Sequence, residues 1–253
     1  MANSPSIQII NQNIDNLTAS EALESADNAI HSRRYLSIAT VNPEIIVLSA
    51  RSKTYAGVLS RLGLRLPDGI GLTLMSRLFG KAKFKERIPG VDFVKSLLVL
   101  AEKKGYKVLM LGAGIASSLK AEKILGRQYP NLAIKCLSGG LIDPGNADHN
   151  TIDSIKSFNP DILVVGLGAP KQETFILNYQ KKLGAYVAIG AGGTIDYLAG
   201  QARRAPRIIR RLGLEWLWRV ILYPSRWRRI FNATIVFPFL YLKWRHRFLF
   251  LAL

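Results

Sequence analysis

Three glycine-rich turns each follow a stretch apolar enough to form a buried strand. They lie at residues 112–114, 166–168 and 190–193. In open α/β sheets, ligands bind at the carboxyl ends of strands, where the first amides of a helix can donate to an anion. The turns therefore predict a site for a phosphate-bearing ligand, with Gly112, Gly114, Gly168 and Gly192 as candidate contacts. Any one of these glycines can equally serve only to make a tight turn.

Four further stretches place polar side chains where a fold alone does not require them. They are Thr40-Val41-Asn42-Pro43, Pro67-Asp68-Gly69-Ile70-Gly71, Glu86-Arg87-Ile88-Pro89-Gly90-Val91-Asp92 and Gly168-Ala169-Pro170-Lys171-Gln172-Glu173. Each also has a purely structural interpretation. Asn42 suits a helix N-cap, Asp68 suits an ordinary turn, and Asp92 suits the start of a helix.

Motifs for metals and nucleophiles are missing from the sequence. The histidines His31, His149 and His246 are far apart, and Cys136 is the single cysteine. The sequence contains no Asp-x-Asp, no Gly-x-Ser-x-Gly and no P-loop motif. We therefore predict no metal site, no bound cofactor and no intramolecular disulfide, and the single cysteine fits a reducing compartment.

The elements that must position these residues alternate between strand and helix. Thr18-Ala19-Ser20-Glu21 is a capping-box pattern that predicts a helix to about His31. Apolar runs at 36–41, 107–111, 161–165 and 186–189 predict buried strands, separated by helical segments. Continuous apolar strands that alternate with helices predict an α/β fold, with a mostly parallel, Rossmann-like sheet covered by helices on both faces.

The charge of the chain is concentrated at one end. The formal net charge is +18 over 253 residues, and residues 203–253 hold 12 Lys and Arg against one acid, a net +11. All four tryptophans lie in that segment. We therefore divide the chain into a body, residues 1–202, and a basic, aromatic C-terminal appendage, residues 203–253. At 49% hydrophobic residues, the chain is not disordered.

The appendage has the composition of a membrane-surface segment. Its longest uncharged stretch, 230–242, contains a proline and is too short to cross a bilayer. Basic residues near an anionic leaflet contribute about 1 kcal/mol each, and tryptophans favour headgroup depth. The N-terminus has no signal-peptide pattern. We therefore expect a cytoplasmic protein that is peripheral on the inner face of the plasma membrane.

The motifs occur in the order seen in one enzyme family. Their pattern is Thr40-x-Asn42-Pro43, Pro67-Asp68-Gly69-x-Gly71, Arg87-x-Pro89-Gly90-x-Asp92, Gly166-x-Gly168-x-Pro170-Lys171-Gln172-Glu173 and Gly190-x-Gly192-Gly193. In this order they resemble the WecG/TagA/CpsF glycosyltransferases, glycosyltransferase family 26, over roughly residues 5–235. Arg203-Arg204-Ala205-Pro206, Leu214-Glu215-Trp216-x-x-Arg219 and Pro224-x-Arg226 of the appendage fit as well.

The resemblance implies an inverting, metal-independent transfer of N-acetylmannosamine or its uronic acid. The donor is a UDP-sugar, and the acceptor is a polyprenyl-diphosphate-linked sugar used in cell-surface polysaccharide synthesis. The resemblance also implies a Rossmann-like body whose C-terminal appendage closes the active site at the membrane. The expected partners are these two substrates and an anionic membrane surface. No nucleic acid is expected, and the sequence is compatible with a homo-oligomer.

The resemblance also assigns roles to individual residues. Asp68 corresponds to the general base that takes the proton of the acceptor hydroxyl. Thr40, Asn42, Arg87 and Gln172 correspond to polar residues of the same pocket. Asp196 follows the last glycine turn, where it can accept from the ribose or uracil.

Arginines of the appendage are expected to replace a metal ion. The matching positions are Arg219, Arg226 and Arg229, which would bind the departing diphosphate through their planar guanidinium groups. Arg226 and Arg229 share one face of a helix that begins at Pro224. The alternative is that these arginines contact only lipid headgroups.

Two other classes of protein share part of the pattern. A nicotinamide-dependent oxidoreductase also has a parallel sheet and a glycine turn, but Ser117 occupies the third glycine position of the dinucleotide fingerprint. A nucleic-acid-binding protein would explain the charge. In the appendage of this chain, however, the basic residues are interleaved with Leu, Ile, Trp and Phe.

Overall fold

The computed structural model describes residues 5–80, 82–140, 142–202, 205–206, 209, 215–223 and 227–250. The chain begins with an antiparallel hairpin of β1 (Ser6–Ile9) and β2 (Gln12–Asp15). Helix α1 (Ala19–His31) follows. The Thr18 hydroxyl accepts from the amide of Glu21, and the Glu21 carboxylate accepts from the amide of Thr18. The predicted capping box and helix are thereby confirmed.

A six-stranded parallel sheet forms the centre of the molecule. Its strands are β3 (Leu36–Val41), β4 (Leu64–Pro67), β5 (Val108–Gly112), β6 (Ile134–Leu137), β7 (Ile162–Gly166) and β8 (Val187–Gly190). They lie in the order β4-β3-β8-β7-β5-β6, and every neighbouring pair is parallel. The predicted Rossmann-like α/β class is confirmed.

Helices cover both faces of this sheet. They are α2 (Pro43–Arg51), α3 (Lys53–Ser60), α4 (Ile70–Phe79), α5 (Gly90–Lys104), α6 (Ile115–Gln128), α7 (His149–Phe158), α8 (Lys171–Leu183) and α9 (Thr194–Leu198). Successive strand side chains point to opposite faces. In β5, Val108 and Met110 join a core with α1, α5, α6 and α9. Leu109 and Leu111 join the other core, with α2, α3, α4, α7 and α8.

The C-terminal segment returns to the body. Its described elements are α10 (Glu215–Leu222), α11 (Trp227–Phe231), a π-helical turn (Asn232–Val236) and α12 (Phe237–Phe250). Helix α12 packs against α2 and α4, and Phe237 and Tyr241 are buried in the second core. Part of the appendage therefore belongs to the packed body. Within the described ranges, no helix is both long and apolar enough to cross a membrane.

At two places in the sheet, the chain leaves neighbouring strands toward opposite faces. Strand β3 is followed by α2 on one face, and its neighbour β8 is followed by α9 on the other. Likewise β5 is followed by α6 on one face, and its neighbour β7 is followed by α8 on the other. Ligands of open α/β sheets bind outside the carboxyl ends of strands at such switch points. The predicted site residues at 40–42, 112–114, 166–168 and 190–193 lie at, or directly after, the carboxyl ends of these four strands.

Candidate active site

Asp68 lies one residue beyond β4, beside the carboxyl end of β3. Its backbone N–H donates to the carbonyl of Val41 at 2.8 Å, which extends the pairing of the two strands. Its Oδ2 accepts from the N–H of Gly90, the first residue of α5, at 3.3 Å. The carboxylate is half-buried and held between a strand end and a helix N-terminus.

Thr40 connects this corner to the neighbouring strand β8. Its Oγ1 donates to the carbonyl of Gly190 at 2.9 Å, and the side chain is buried. A Cβ placed on Gly90 would lie 3.0 Å from Thr40 Oγ1, so a side chain at position 90 would push against the threonine. The structure therefore brings Thr40, Asp68 and Gly90 together.

Asn42 and Pro43 set the geometry of the next motif. Asn42 Oδ1 accepts from the amide of Ile45 at 3.0 Å, so the N-cap interpretation of this residue is confirmed. Gly69 has a φ of +88°, and a Cβ on Gly71 would lie 2.7 Å from Pro43 Cγ. The two glycines of the Asp68 motif are thus needed where the chain passes over Pro43. The pocket role of Asn42 stays a prediction.

Gln172 joins the glycine turns that follow β7 and β8. Its Oε1 accepts from the amide of Gly192 at 2.9 Å and from the amide of Gly168 at 3.2 Å. Gln172 is buried, and it lies in the first turn of α8. Both amides that the sequence offers to a phosphate at these positions are therefore used by Gln172. Gly168 and Gly192 shape this part of the site through their turns, and their role in binding the donor stays a prediction.

A buried carboxyl group lies directly behind Gln172. Glu173 is 0% exposed, its Oε1 accepts from Gln172 Nε2 at 2.7 Å, and its Oε2 accepts from the Tyr55 hydroxyl at 3.1 Å. Burial raises the pKa of the Glu173 carboxyl above its usual value, because the charged form loses its solvation. Tyr55 carries no sequence signal for this contact, because it lies 118 residues from Glu173 along the chain and belongs to no motif.

Gly112 allows the turns after β5 and β7 to come close together. Its φ is +146°, and a Cβ at this position would lie 2.7 Å from the backbone carbon of Gly166 on the paired strand. Gly114 is the exposed N-cap of α6 and has open space where a Cβ would stand. The backbone therefore requires glycine at position 112 and not at position 114.

Arg87 borders a cavity of about 300 Å³, whose lining does not include Asp68, Thr40 or Gln172. Pro89, Asp92 and Ser96 of the segment that enters α5 also line this cavity. Arg87 itself is half-buried, and the next residue, Ile88, donates its amide to the carbonyl of Pro67 at 2.8 Å. The arginine is thus attached to the same strand end as Asp68 and faces a space large enough for a small polar group.

The remaining predicted residues come from α9 and the appendage. Asp196 is half-buried in the first turn of α9, after the turn that contains Gly192. Arg219 lies in α10, where the position of its side chain is not described, and Arg226 lies outside the described residues. Arg229 Nε donates to Glu44 Oε1 at 2.6 Å. Because Glu44 follows Asn42 and Pro43, this ion pair joins α11 to the Thr40 motif.

No group of three or more His, Cys, Asp and Glu side chains with the arrangement of a metal site occurs among the residues that the structure describes. The described part of the site offers the Asp68 carboxylate, held by the amide of Gly90, and Arg87 on the segment attached to the same strand end. This combination suits the binding of a polar substrate and the acceptance of a proton by Asp68.

A comparison with protein families gives a match over nearly the whole chain. Residues 7–249 match the family described as the glycosyl transferase WecG/TagA/CpsF family. The match extends past residue 235, the end of the resemblance inferred from the motifs, and includes most of α12. It favours a glycosyltransferase over the dehydrogenase and nucleic-acid-binding alternatives.

Three relatives carry the same name, N-acetylglucosaminyldiphosphoundecaprenol N-acetyl-beta-D-mannosaminyltransferase. The protein of Bacillus subtilis (strain 168) is 39% identical over 77% of this chain and 75% of its own length. That of Bacillus spizizenii is 37% identical over 77% and 74%. That of Staphylococcus aureus (strain NCTC 8325) is 31% identical over 95% and 92%.

Proposed function

The chain belongs to the glycosyl transferase WecG/TagA/CpsF family, and we propose that it transfers N-acetylmannosamine or its uronic acid from a UDP donor to a polyprenyl-diphosphate-linked sugar. The named relatives transfer N-acetylmannosamine to an acceptor of this kind. The product of the proposed reaction is a lipid-linked disaccharide for cell-surface polysaccharide synthesis.

The observation that carries the proposal is the position of the Asp68 carboxylate. It lies beside a switch point of the sheet, with one oxygen held by the amide of Gly90 and with Thr40 adjacent. A general base must be fixed within hydrogen-bond reach of the proton that it accepts. Asp68 is fixed in this way, because its strand and the N-terminus of α5 hold it before any substrate arrives.

The proposed reaction is a single displacement at the anomeric carbon. The acceptor hydroxyl oxygen forms a bond to that carbon while the bond from the carbon to the diphosphate oxygen breaks. The hydroxyl proton passes to Asp68, and the electron pair of the broken bond leaves with UDP. One displacement inverts the configuration of the anomeric carbon.

The developing charge on UDP needs a cationic partner in a metal-independent reaction. Arginine suits this role because its guanidinium group donates two parallel hydrogen bonds to phosphate oxygens. We propose Arg219, Arg226 and Arg229 for it, with Arg87 binding the sugar or phosphate of the donor and Gln172 holding the glycine turns of the same pocket. Support comes from Arg229, whose bond to Glu44 brings α11 to the residue that follows Asn42 and Pro43.

We also propose that the protein works while attached to the membrane surface. The described part of the appendage exposes large apolar side chains, among them Trp227, Phe231 and Phe239. From 227 to 250 the sequence contains five Arg and Lys residues and no acid. Such a segment suits peripheral attachment to an anionic leaflet, which is where a polyprenyl-linked acceptor would be found.

A panel of donors tests the proposed reaction. The full chain is incubated with UDP-N-acetylmannosamine, its uronate or UDP-N-acetylglucosamine, and with a short-chain lipid diphosphate acceptor that carries N-acetylglucosamine. We expect transfer from a mannosamine-type donor, with equal rates with and without a chelator. No transfer from any of the three donors would contradict the proposal, and loss of activity with the chelator would contradict its metal independence.

A further inference from the structure

Helix α4 connects the candidate base to an exposed apolar surface. It begins at Ile70, two residues after Asp68, and ends at Phe79. One side of the helix is buried through Leu72, Met75 and Ser76. At its far end, Leu74, Leu78 and Phe79 are 47%, 61% and 46% exposed. We call these three side chains the α4 apolar face.

The C-terminal segment continues this surface. Gly71, Leu74 and Leu78 lie on one stripe of α4, since they are spaced by three and four residues. A Cβ on Gly71 would lie 3.9 Å from the carbonyl oxygen of Ala233, so this stripe borders the π-helical turn of the appendage. Helix α12 also packs against α4. Ile235 and Phe239 in this region are 56% and 66% exposed.

The two segments that form this surface, α4 and residues 227–250, contain basic residues and no acidic residue. Helix α4 contains Arg77 and no acidic residue. Arg77, Arg228 and Lys243 are exposed. Segments that expose both apolar side chains and cations have the chemistry of a site for an anionic lipid bilayer.

We propose that the α4 apolar face contacts the membrane together with the appendage, and that α4 thereby sets the height of Asp68 above the lipid. This inference rests on the proposed function for its substrate, because a polyprenyl-linked acceptor holds its sugar at the leaflet surface. At 1.5 Å per residue, Ile70 and Leu78 are about 12 Å apart along the helix. The base therefore lies within reach of the leaflet surface, where the acceptor holds its sugar.

Vesicle binding by the full chain tests this surface. Leu78→Glu places a charge on the α4 apolar face, and Val99→Glu is its matched control, because Val99 is 56% exposed on α5. Flotation is measured with vesicles of phosphatidylglycerol and phosphatidylcholine, and with phosphatidylcholine alone. We expect Leu78→Glu to weaken binding to the anionic vesicles by about tenfold and Val99→Glu to leave it unchanged.

Two outcomes would overturn the inference. One is equal vesicle binding by Leu78→Glu and the wild type. The other is a wild-type dimer in solution that Leu78→Glu converts to a monomer without changing vesicle binding, since the face would then bind a second copy of the chain.

Transfer kinetics separate this inference from the proposed function. With a long polyprenyl acceptor in vesicles, we expect Leu78→Glu to raise the acceptor KM about tenfold. With a short, water-soluble acceptor, we expect Leu78→Glu to have the same kcat and acceptor KM as the wild type. If the wild type transfers no sugar, the proposed function fails, and the flotation result still decides the membrane contact. If transfer is normal but Leu78→Glu binds vesicles like the wild type, only the contact through α4 is wrong.

Discussion

Gln172 Nε2 donates a 2.7 Å hydrogen bond to Glu173 Oε1, and this bond fixes which way the Gln172 amide faces. With its nitrogen held by Glu173, Gln172 presents its oxygen to the amides of Gly168 and Gly192. A pair of adjacent side chains thus holds two turns from different strands together at the edge of the candidate site. Tyr55 holds the other oxygen of Glu173 from α3.

Replacing Glu173 tests whether this arrangement positions the site. Glu173→Leu leaves Gln172 Nε2 and the Tyr55 hydroxyl without their acceptor, which costs about 1–3 kcal/mol for a buried group. We expect transfer to fall at least about tenfold, mainly through a higher donor KM, because the glycine turns lose their common partner. Glu173→Gln can accept from Gln172 and donate to Tyr55, so it should restore most of the activity.

Gln180→Leu is the matched control for this substitution. Gln180 is buried on the same helix but donates to the carbonyls of Leu36, Ala185 and Tyr186 near the opposite ends of the strands. It should lower the melting temperature and leave the donor KM unchanged. An unchanged donor KM in folded Glu173→Leu would show that Glu173 serves stability alone.

The raised pKa of Glu173 predicts a pH dependence of stability. Its carboxyl keeps its proton to a higher pH in the folded chain than in the unfolded chain, where the pKa is near 4.5. The folded state therefore binds more protons above pH 4.5, and this residue makes the free energy of unfolding fall as pH rises from there to the folded pKa. Glu173→Gln cannot titrate and lacks this contribution.

Urea unfolding across this pH range measures the effect. The free energy of unfolding of Glu173→Gln, minus that of the wild type, should increase with pH. The pKa of Asp15 is also raised by burial, but Asp15 is present in both proteins and cancels in the difference. Parallel pH curves for the two proteins would contradict the burial of a protonated carboxyl at this position.

Two glycine-to-alanine substitutions should have opposite effects. Gly112→Ala places a Cβ 2.7 Å from the backbone of Gly166 at a φ of +146°, so we expect a loss of at least about 2 kcal/mol. Gly126→Ala, in the last turn of α6 with open space around it, should stabilise the protein by about 0.5–1 kcal/mol. Thermal unfolding compares the two, and equal melting temperatures would contradict the close approach of β5 and β7.

The ion pair between Arg229 and Glu44 should contribute little to stability. The Arg229 side chain is 51% exposed, and such pairs typically contribute about 0–1 kcal/mol. If Arg229 binds the leaving diphosphate, Arg229→Ala should lower kcat more than Glu44→Ala does, because only the arginine would meet the developing charge.

Arg228→Ala is the control for this comparison, since Arg228 is exposed on the same helix and stacks over Trp227. It should keep the wild-type kcat. Equal losses of kcat in Glu44→Ala and Arg229→Ala would instead assign Arg229 to the attachment of α11 to α2.

Local patterns were sufficient to predict much of the fold. The capping box at Thr18 marks the start of α1, and Pro43 after Asn42 marks the start of α2. Four apolar runs correspond to β3, β5, β7 and β8, because both faces of a parallel sheet are buried. The hairpin of β1 and β2 was not predicted, since its four-residue strands alternate with polar residues and lack a distinct apolar run.

Long-range contacts account for what the sequence analysis missed. Tyr55 and Glu173 meet only because α3 and α8 cover the same face of the sheet. Phe237 and Tyr241 lie in a stretch that was assigned to the appendage, yet both are buried against the body. No local pattern distinguishes an aromatic residue that will face lipid from one that will enter the core. Asp68 and Thr40 were found because each lies in a short motif at a strand end.

The central claim is that Asp68 accepts the proton of the acceptor hydroxyl, and Asp68→Asn tests it most directly. Steady-state transfer and calorimetric binding of the UDP donor are measured for Asp68→Asn and for Asp153→Asn, a control at an exposed position on α7. We predict that Asp68→Asn binds the donor like the wild type but loses about a thousandfold in kcat, while the control keeps both properties. Wild-type turnover by Asp68→Asn would contradict the account.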